Sequence, residues 1–188
     1  MPDFGSYVSQ LRDCIGLIDE KDVVLFADLL IKARDDGCTA YFFGNGDSAT
    51  NSTHFAADLS KGTIFPGQKR IRAICLNENV PLMTAWSNDT SYEMVFKEQL
   101  ENLLRPGDLV VGISTSGNSP NVLRAIELAN SKGNTTLGLS ACGGGKLAKT
   151  AKHNIIAKTD NIEIAEDIHW IVGHLLKVQL LKRYGGGN

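Results

Sequence analysis

The apolar positions of this chain change period several times, and the changes mark out its elements. From Tyr7 to Ala33 they fall at Val8, Leu11, Ile15, Ile18, Val23, Leu25, Phe26, Leu29, Leu30 and Ile31. This predicts one long helix or two over about residues 4–35, with Asp19-Glu20-Lys21-Asp22 as the break. So much apolar surface ahead of the first strand needs a cover, and a packed oligomer interface fits it better than the sheet face alone. Residues 39–43 then read as a strand, 44–48 as a tight loop and 49–60 as a helix. A second strand follows at 71–76, and helices at 80–86 and 92–104 flank the polar Ser87-Asn88-Asp89-Thr90. Strands at 108–113, 135–140 and 154–157, a flexible turn at Gly143-Gly144-Gly145, a last helix over 162–184 and a frayed tail at 185–188 complete the reading. Strands alternating with helices at this spacing imply an α/β fold with a parallel sheet covered on both faces.

The stretch 107–133 carries the signature of an anion site. Asp108-Leu109-Val110-Val111-Gly112-Ile113 is a buried-strand run, and Val122, Ala125, Ile126 and Ala129 give a helix closed by Gly133. Between them Ser114-Thr115-Ser116-Gly117-Asn118-Ser119-Pro120 supplies four hydroxyls, a glycine and a proline suited to the first helical turn. Such a loop offers backbone N–H groups and a positive helix end to a phosphate without a buried cation. A serine-rich N-cap and turn has the same composition.

His54 and Asp58 are four apart, so a helix points both the same way. That suits two ligands of one metal or an imidazole and a carboxylate sharing a substrate, and an ordinary polar helix face also shows it. Glu166 and His174 are eight apart, about 80° around the last helix and about 12 Å along it. Either their side chains converge from opposite ends onto one centre, or the site takes one from each of two chains.

Three blocks carry a family resemblance that runs from about Val8 to Leu181. Ile113-Ser114-Thr115-Ser116-Gly117-Asn118-Ser119-Pro120-Asn121 resembles the phosphate loop of SIS (sugar isomerase) domains. Gly44-Asn45-Gly46-Asp47-Ser48-Ala49, followed by His54-Phe55-Ala56-Ala57-Asp58-Leu59, resembles the corresponding block of phosphoheptose (sedoheptulose 7-phosphate) isomerases. Glu166-Asp167-Ile168-His169 through Gly173-His174 is similar to that family's C-terminal helix motif. The resemblance implies a three-layer αβα sandwich with a five-stranded parallel sheet, flavodoxin-like, as a single SIS domain over residues 1–188. It also implies aldose–ketose isomerisation, most directly of sedoheptulose 7-phosphate to D-glycero-D-manno-heptose 7-phosphate through an enediol.

By the same resemblance Ser114, Thr115, Ser116 and Ser119 hold the phosphate. Asn45, Gly46, Asp47 and Ser48 line the sugar, and Asn88, Asp89 and Glu166 contact or position it. His54, Asp58, Glu166 and His174 bind zinc, one ion per subunit, at subunit contacts of a homotetramer. Asp58 is the expected base and His174 the expected acid or relay, with the far ends of their two helices meeting beside the serine loop from different copies. Departures from the family cluster here: Asp58 for Glu, Glu166 for Gln, Asp167 for Glu, Asp47 for Gly and Ile164 for Arg. They leave open a related heptose or octose phosphate. A different class remains: a non-catalytic SIS protein that binds the bacterial replication initiator, although such proteins tend to lack the acid and the final histidine.

Composition narrows the partners. With 188 residues and a formal charge of -2, the chain has no basic stripe for nucleic acid or an anionic membrane. Its first residues lack a basic-then-apolar targeting pattern, which predicts a cytoplasmic protein. Cys14, Cys38, Cys75 and Cys142 show no paired motif and read as buried reduced thiols.

Overall fold

Alternation along β1 (Thr39–Gly44) sends Phe42 to one face of the sheet and Phe43 to the other, and each anchors a separate hydrophobic core. The computed structural model describes residues 3–184, so the expected tail at 185–188 lies outside the described residues. On the first face Phe42 stacks on Phe55 at 5.7 Å between ring centroids, and Phe55 on Phe26 at 6.3 Å. On the second Phe43 meets Phe96 at 5.0 Å. Each such ring, fully withdrawn from water, contributes about 1.5–3 kcal/mol.

The other strands are β2 (Arg72–Cys75), β3 (Leu109–Ile113), β4 (Thr135–Ala141) and β5 (His153–Ala157). All pair parallel in the order β2-β1-β3-β4-β5. β1 and β3 are buried at every residue, which explains their unbroken apolar runs. The sheet is therefore the expected one, with its order reversing at the β1/β3 pair, where open α/β sheets place their ligands.

Helices α1 (Phe4–Ile15) and α2 (Glu20–Asp35) form the N-terminal segment. The break falls at residues 16–19 rather than over 19–22, because Asp19 caps α2 by accepting from the Lys21 amide. Every residue of α1 keeps some exposure, and Phe4 is 86% exposed. α3 (Asp47–Ala57) runs into one π-helical turn, Asp58–Gly62. α4 (Val80–Asp89) and α5 (Val95–Leu103) follow on the second face with α6 (Pro120–Ser131). α4 is longer than its apolar pattern, so Ser87, Asn88 and Asp89 lie in its last turn and not in a loop. A one-turn helix, α7 (Leu147–Thr150), is too short to show a period in sequence. α8 (Ile162–Arg183), capped by Asn161, packs on α1, α2 and α3.

Gly143-Gly144-Gly145 is a packed turn instead of a slack one: a Cβ at Gly145 would sit 2.6 Å from the Ser116 carbonyl oxygen and 2.7 Å from that of Gly117. The cysteines are free, but only Cys75 is buried, while Cys142 is exposed. Among the described residues, no helix is long and apolar enough to cross a membrane.

Candidate active site

The loops that follow β1 and β3 meet at the sheet's C-terminal edge around a cavity of about 430 Å³. Asn45, Ser48, Ser114, Thr115, Ser116, Ser119, Asn161 and Glu166 are among its lining residues. The N-terminal ends of α3, α6 and α8 all open here, so three positive helix ends converge on one space. Ser119 occupies the N-cap of α6 but turns its hydroxyl to Ser114, Oγ to Oγ 2.9 Å. Thr115 Oγ1 is buried with no hydrogen-bond partner among the described residues. Among those residues no lysine or arginine lines the cavity. The serine loop and the helix ends offer neutral donors, while Asp160 and Glu166 put two carboxyl groups on the same lining.

The first loop is held by its neighbours. Asn45 and Asn121, at the start of α6, exchange amide hydrogen bonds of 2.9 and 2.8 Å, and the Tyr92 hydroxyl donates to Asn45 Oδ1 at 2.9 Å. Gly46 adopts φ 54°, ψ -125°, a conformation that side chains resist, and lets α3 start at once. Ser48 is buried against Gly44, where a Cβ would lie 2.7 Å from that of Ser48.

A second centre lies further along α3 and α8. His54 Nε2 and His174 Nε2 are 3.0 Å apart, one donating to the other, and Asp58 Oδ2 is 3.5 Å from His54 Nε2. One donor atom from each of His54, Asp58 and His174 lies within 4.8 Å of the others. The predicted meeting of the two helices therefore occurs inside one copy, so no second chain is needed to join Asp58 to His174. Trp170 stacks flat on His54, with centroids 4.0 Å apart and planes 12° apart. Burial pulls the His54 pKa down, while the nearby Asp58 carboxylate opposes that shift.

Asp58 Oδ2 is buried and has no hydrogen-bond partner among the described residues. An orphaned carboxylate oxygen beside His54 Nε2, with His174 Nε2 close by, makes a group of three donors that can hold a divalent metal. Tetrahedral zinc with bonds near 2.0–2.1 Å needs nitrogen ligands about 3.3 Å apart, close to the spacing found. The residues fit the ion that the resemblance implied.

Glu166 does not join this group in the single chain. It lines the serine cavity and also a neighbouring hollow with Asp47, Thr50, Asn51, Asp167 and Trp170. Burial first, then the charge and hydrogen bonding of Asp47, push its pKa up to about 7. Asn88 and Asp89 lie exposed at the end of α4, bonded to each other at 2.9 Å and outside the cavity lining. His169, in the same C-terminal block, is a structural group: it is wholly buried and its Nε2 meets the Ser140 carbonyl at 3.0 Å. Sequence reasoning missed Asn121, Trp170 and Lys177. Helical spacing puts Trp170 and Lys177 on the face of His174 but does not say what either one touches.

A family model for the SIS domain matches residues 5–141. A probable phosphoheptose isomerase of Thermoplasma volcanium is 37% identical over 174 residues, 93% of this chain and 88% of that protein. The phosphoheptose isomerase of Akkermansia muciniphila is 42% identical over 167 residues, 88% of this chain and 87% of its own. Among solved structures, phosphoheptose isomerase GmhA from Neisseria gonorrhoeae superposes with a TM-score of 0.87 at 26% identity, covering 95% of each chain. With a serine-lined cavity at the β1/β3 edge, a histidine–carboxylate centre on α3 and α8, and these likenesses over most of its length, the chain belongs to the phosphoheptose isomerase family of SIS-domain proteins.

Proposed function

We propose that the protein is an aldose–ketose isomerase of a long-chain sugar phosphate, converting sedoheptulose 7-phosphate to D-glycero-D-manno-heptose 7-phosphate through an enediol. The observation that carries this reading is the convergence of His54, Asp58 and His174 within 4.8 Å on the helices whose first turns frame the serine cavity. The phosphate sits on the amides and hydroxyls of Ser114, Thr115, Ser116 and Ser119. Asp58, whose Oδ2 is unpartnered and buried, takes the proton from C1 beside the ketose carbonyl and returns it to C2, while His174 moves the hydroxyl proton between the sugar oxygens. Each group transfers protons only while it is not serving as a metal ligand. His54, held flat by Trp170, orients the pair. When bound by His54, Asp58 and His174, zinc supplies Lewis-acid polarisation of the carbonyl.

Within one chain, Glu166 and His174 are separated by about 12 Å of helix, so the serine cavity and the histidine centre are offset along α8. A homotetramer with sites at subunit contacts answers this by bringing Glu166 and the serine loop of one copy to the histidine centre of another. Exposed apolar residues support such packing: Phe4 and Val8 on α1, Val80 on α4, and Leu175 and Val178 beside His174. Asn88 and Asp89 reach a substrate only from a neighbouring copy in this arrangement.

Purified protein supplied with zinc should interconvert sedoheptulose 7-phosphate and a heptose 7-phosphate, followed by 31P and 13C NMR. Asp58→Ala and His174→Ala should each abolish turnover. A folded protein inert toward this and related ketose phosphates would defeat the proposal, and capture of the replication initiator by that inert protein would establish the binding-protein alternative.

A further inference from the structure

The two oxygens of Asp58 have different surroundings. Oδ2 faces His54 and is orphaned, whereas Oδ1 accepts a hydrogen bond from Lys177 Nζ at 3.0 Å. Lys177 lies on α8 three residues beyond His174 and so shares its face. Its stem runs across the π-helical turn that Asp58 opens. A Cβ at Gly62 would lie 2.7 Å from Lys177 Cε, 3.0 Å from Nζ and 3.4 Å from Asp58 Oδ1. The bare backbone at Gly62 is what lets the ammonium reach the carboxylate.

We propose that Lys177 is a built-in counter-cation of the histidine–carboxylate centre, which restricts Asp58 to one donor oxygen and keeps a divalent metal weakly held. The inference rests on reading His54, Asp58 and His174 as a cation seat and is independent of which sugar is turned over. As a stabilising ion pair the contact counts for little, since its side chains are 34% and 20% exposed. Its electrostatic effect on a neighbouring dication is larger. Two neutral imidazoles and one carboxylate give a seat of charge about -1, and the ammonium cancels it. A metal entering that seat meets an uncompensated positive neighbour and only Oδ2 of Asp58. Single-oxygen ligation leaves coordination positions open to substrate or water.

The test is zinc affinity of the full chain, measured by competition with a chromophoric chelator at fixed pH and salt. Lys177→Met should bind zinc about ten-fold tighter or more, because a unit charge within a few ångströms of a dication has been removed. Lys177→Arg, which keeps the charge, should stay near the parent affinity. Gly62→Ala displaces the lysine stem without touching its charge and should tighten zinc in the same direction by a smaller factor. Circular dichroism establishes that each variant is folded. Zinc affinity of Lys177→Met equal to or weaker than the parent, or no zinc binding by any of the proteins, would overturn the proposal. Isomerase assays run alongside separate the two readings: turnover with unshifted zinc affinity sinks the counter-cation alone, and shifted affinity without turnover sinks the isomerase alone.

Discussion

Trp170 lies flat on His54, one turn of α8 before the His174 that His54 faces edge-on at 82°. A stacked pair of this kind is worth about 0.5–1.5 kcal/mol beyond its buried area, enough to fix the plane of an imidazole. Trp170→Leu keeps an apolar cover and removes the stack. Zinc affinity and kcat should both fall by about five- to ten-fold. Because burial is the leading cause of the lowered His54 pKa, Trp170→Ala should raise it toward 6.5, read by NMR titration of the metal-free protein. Unchanged zinc affinity in the leucine variant would show that the ring is only a cover.

Asp47 and Glu166 are two carboxyl groups of like charge held side by side. A carboxyl whose folded pKa is raised from 4.5 to about 7 favours the fold below pH 4.5, and that contribution is lost as pH rises to about 7. Asp47→Asn removes the like charge, so the Glu166 pKa should fall toward 4.5. The metal-free variant should then gain stability relative to the parent at pH 8 but not at pH 4, measured by urea denaturation. Equal differences at both pH values would show that Asp47 does not govern Glu166.

What could be read in the chain was what lies close in sequence. The hydroxyls of Ser114 to Ser119 share one loop, and His54 and Asp58 share one helix face, so spacing alone grouped them. The eight-residue gap between Glu166 and His174 left open whether one centre or two chains would join them, and within one chain Glu166 stands outside the His54, Asp58 and His174 group. Trp170 and Lys177 gave no comparable warning, because their roles exist only once α8 packs across α3. Asn88 and Asp89 resembled a turn because short polar residues compete with helix, yet in the structure they close the last turn of α4. The triple glycine looked slack for want of side chains. Its real reason is the close approach of two loops, which sequence does not display.

That approach gives a third prediction. Gly117 has φ 63°, and a Cβ there would lie 2.1 Å from the Gly144 carbonyl oxygen. Its own carbonyl accepts from the Leu147 amide at 2.9 Å, tying the serine loop to the turn before α7. Gly117→Ala combines a left-handed side chain with overpacking, a cost of about 2–4 kcal/mol. The melting temperature should drop, and the variant should lose the thermal shift that inorganic phosphate gives the parent. Retained phosphate protection would place the anion away from this loop.

His169 sets an acid limit on the fold. Burial is the leading cause that lowers its pKa from 6.5 to about 4, while its hydrogen bond to the Ser140 carbonyl partly opposes that shift. The imidazole is neutral when folded: Nε2–H donates to Ser140, and Nδ1 has no partner among the described residues. The unfolded chain takes up a proton near pH 6.5, and the folded one does so only near pH 4. Stability from this group is therefore complete above pH 6.5 and declines as pH falls to about 4, by up to roughly 3 kcal/mol. His169→Gln keeps a donor for Ser140 but cannot titrate. At pH 7.5 it should be less stable by about 1 kcal/mol, from imperfect bonding of the buried amide. Between pH 6.5 and 4.5 its stability should fall less steeply than the parent's, so the two curves approach each other. Parallel curves across that range would mean that another group sets the acid limit and that His169 serves only as a bolt between α8 and β4.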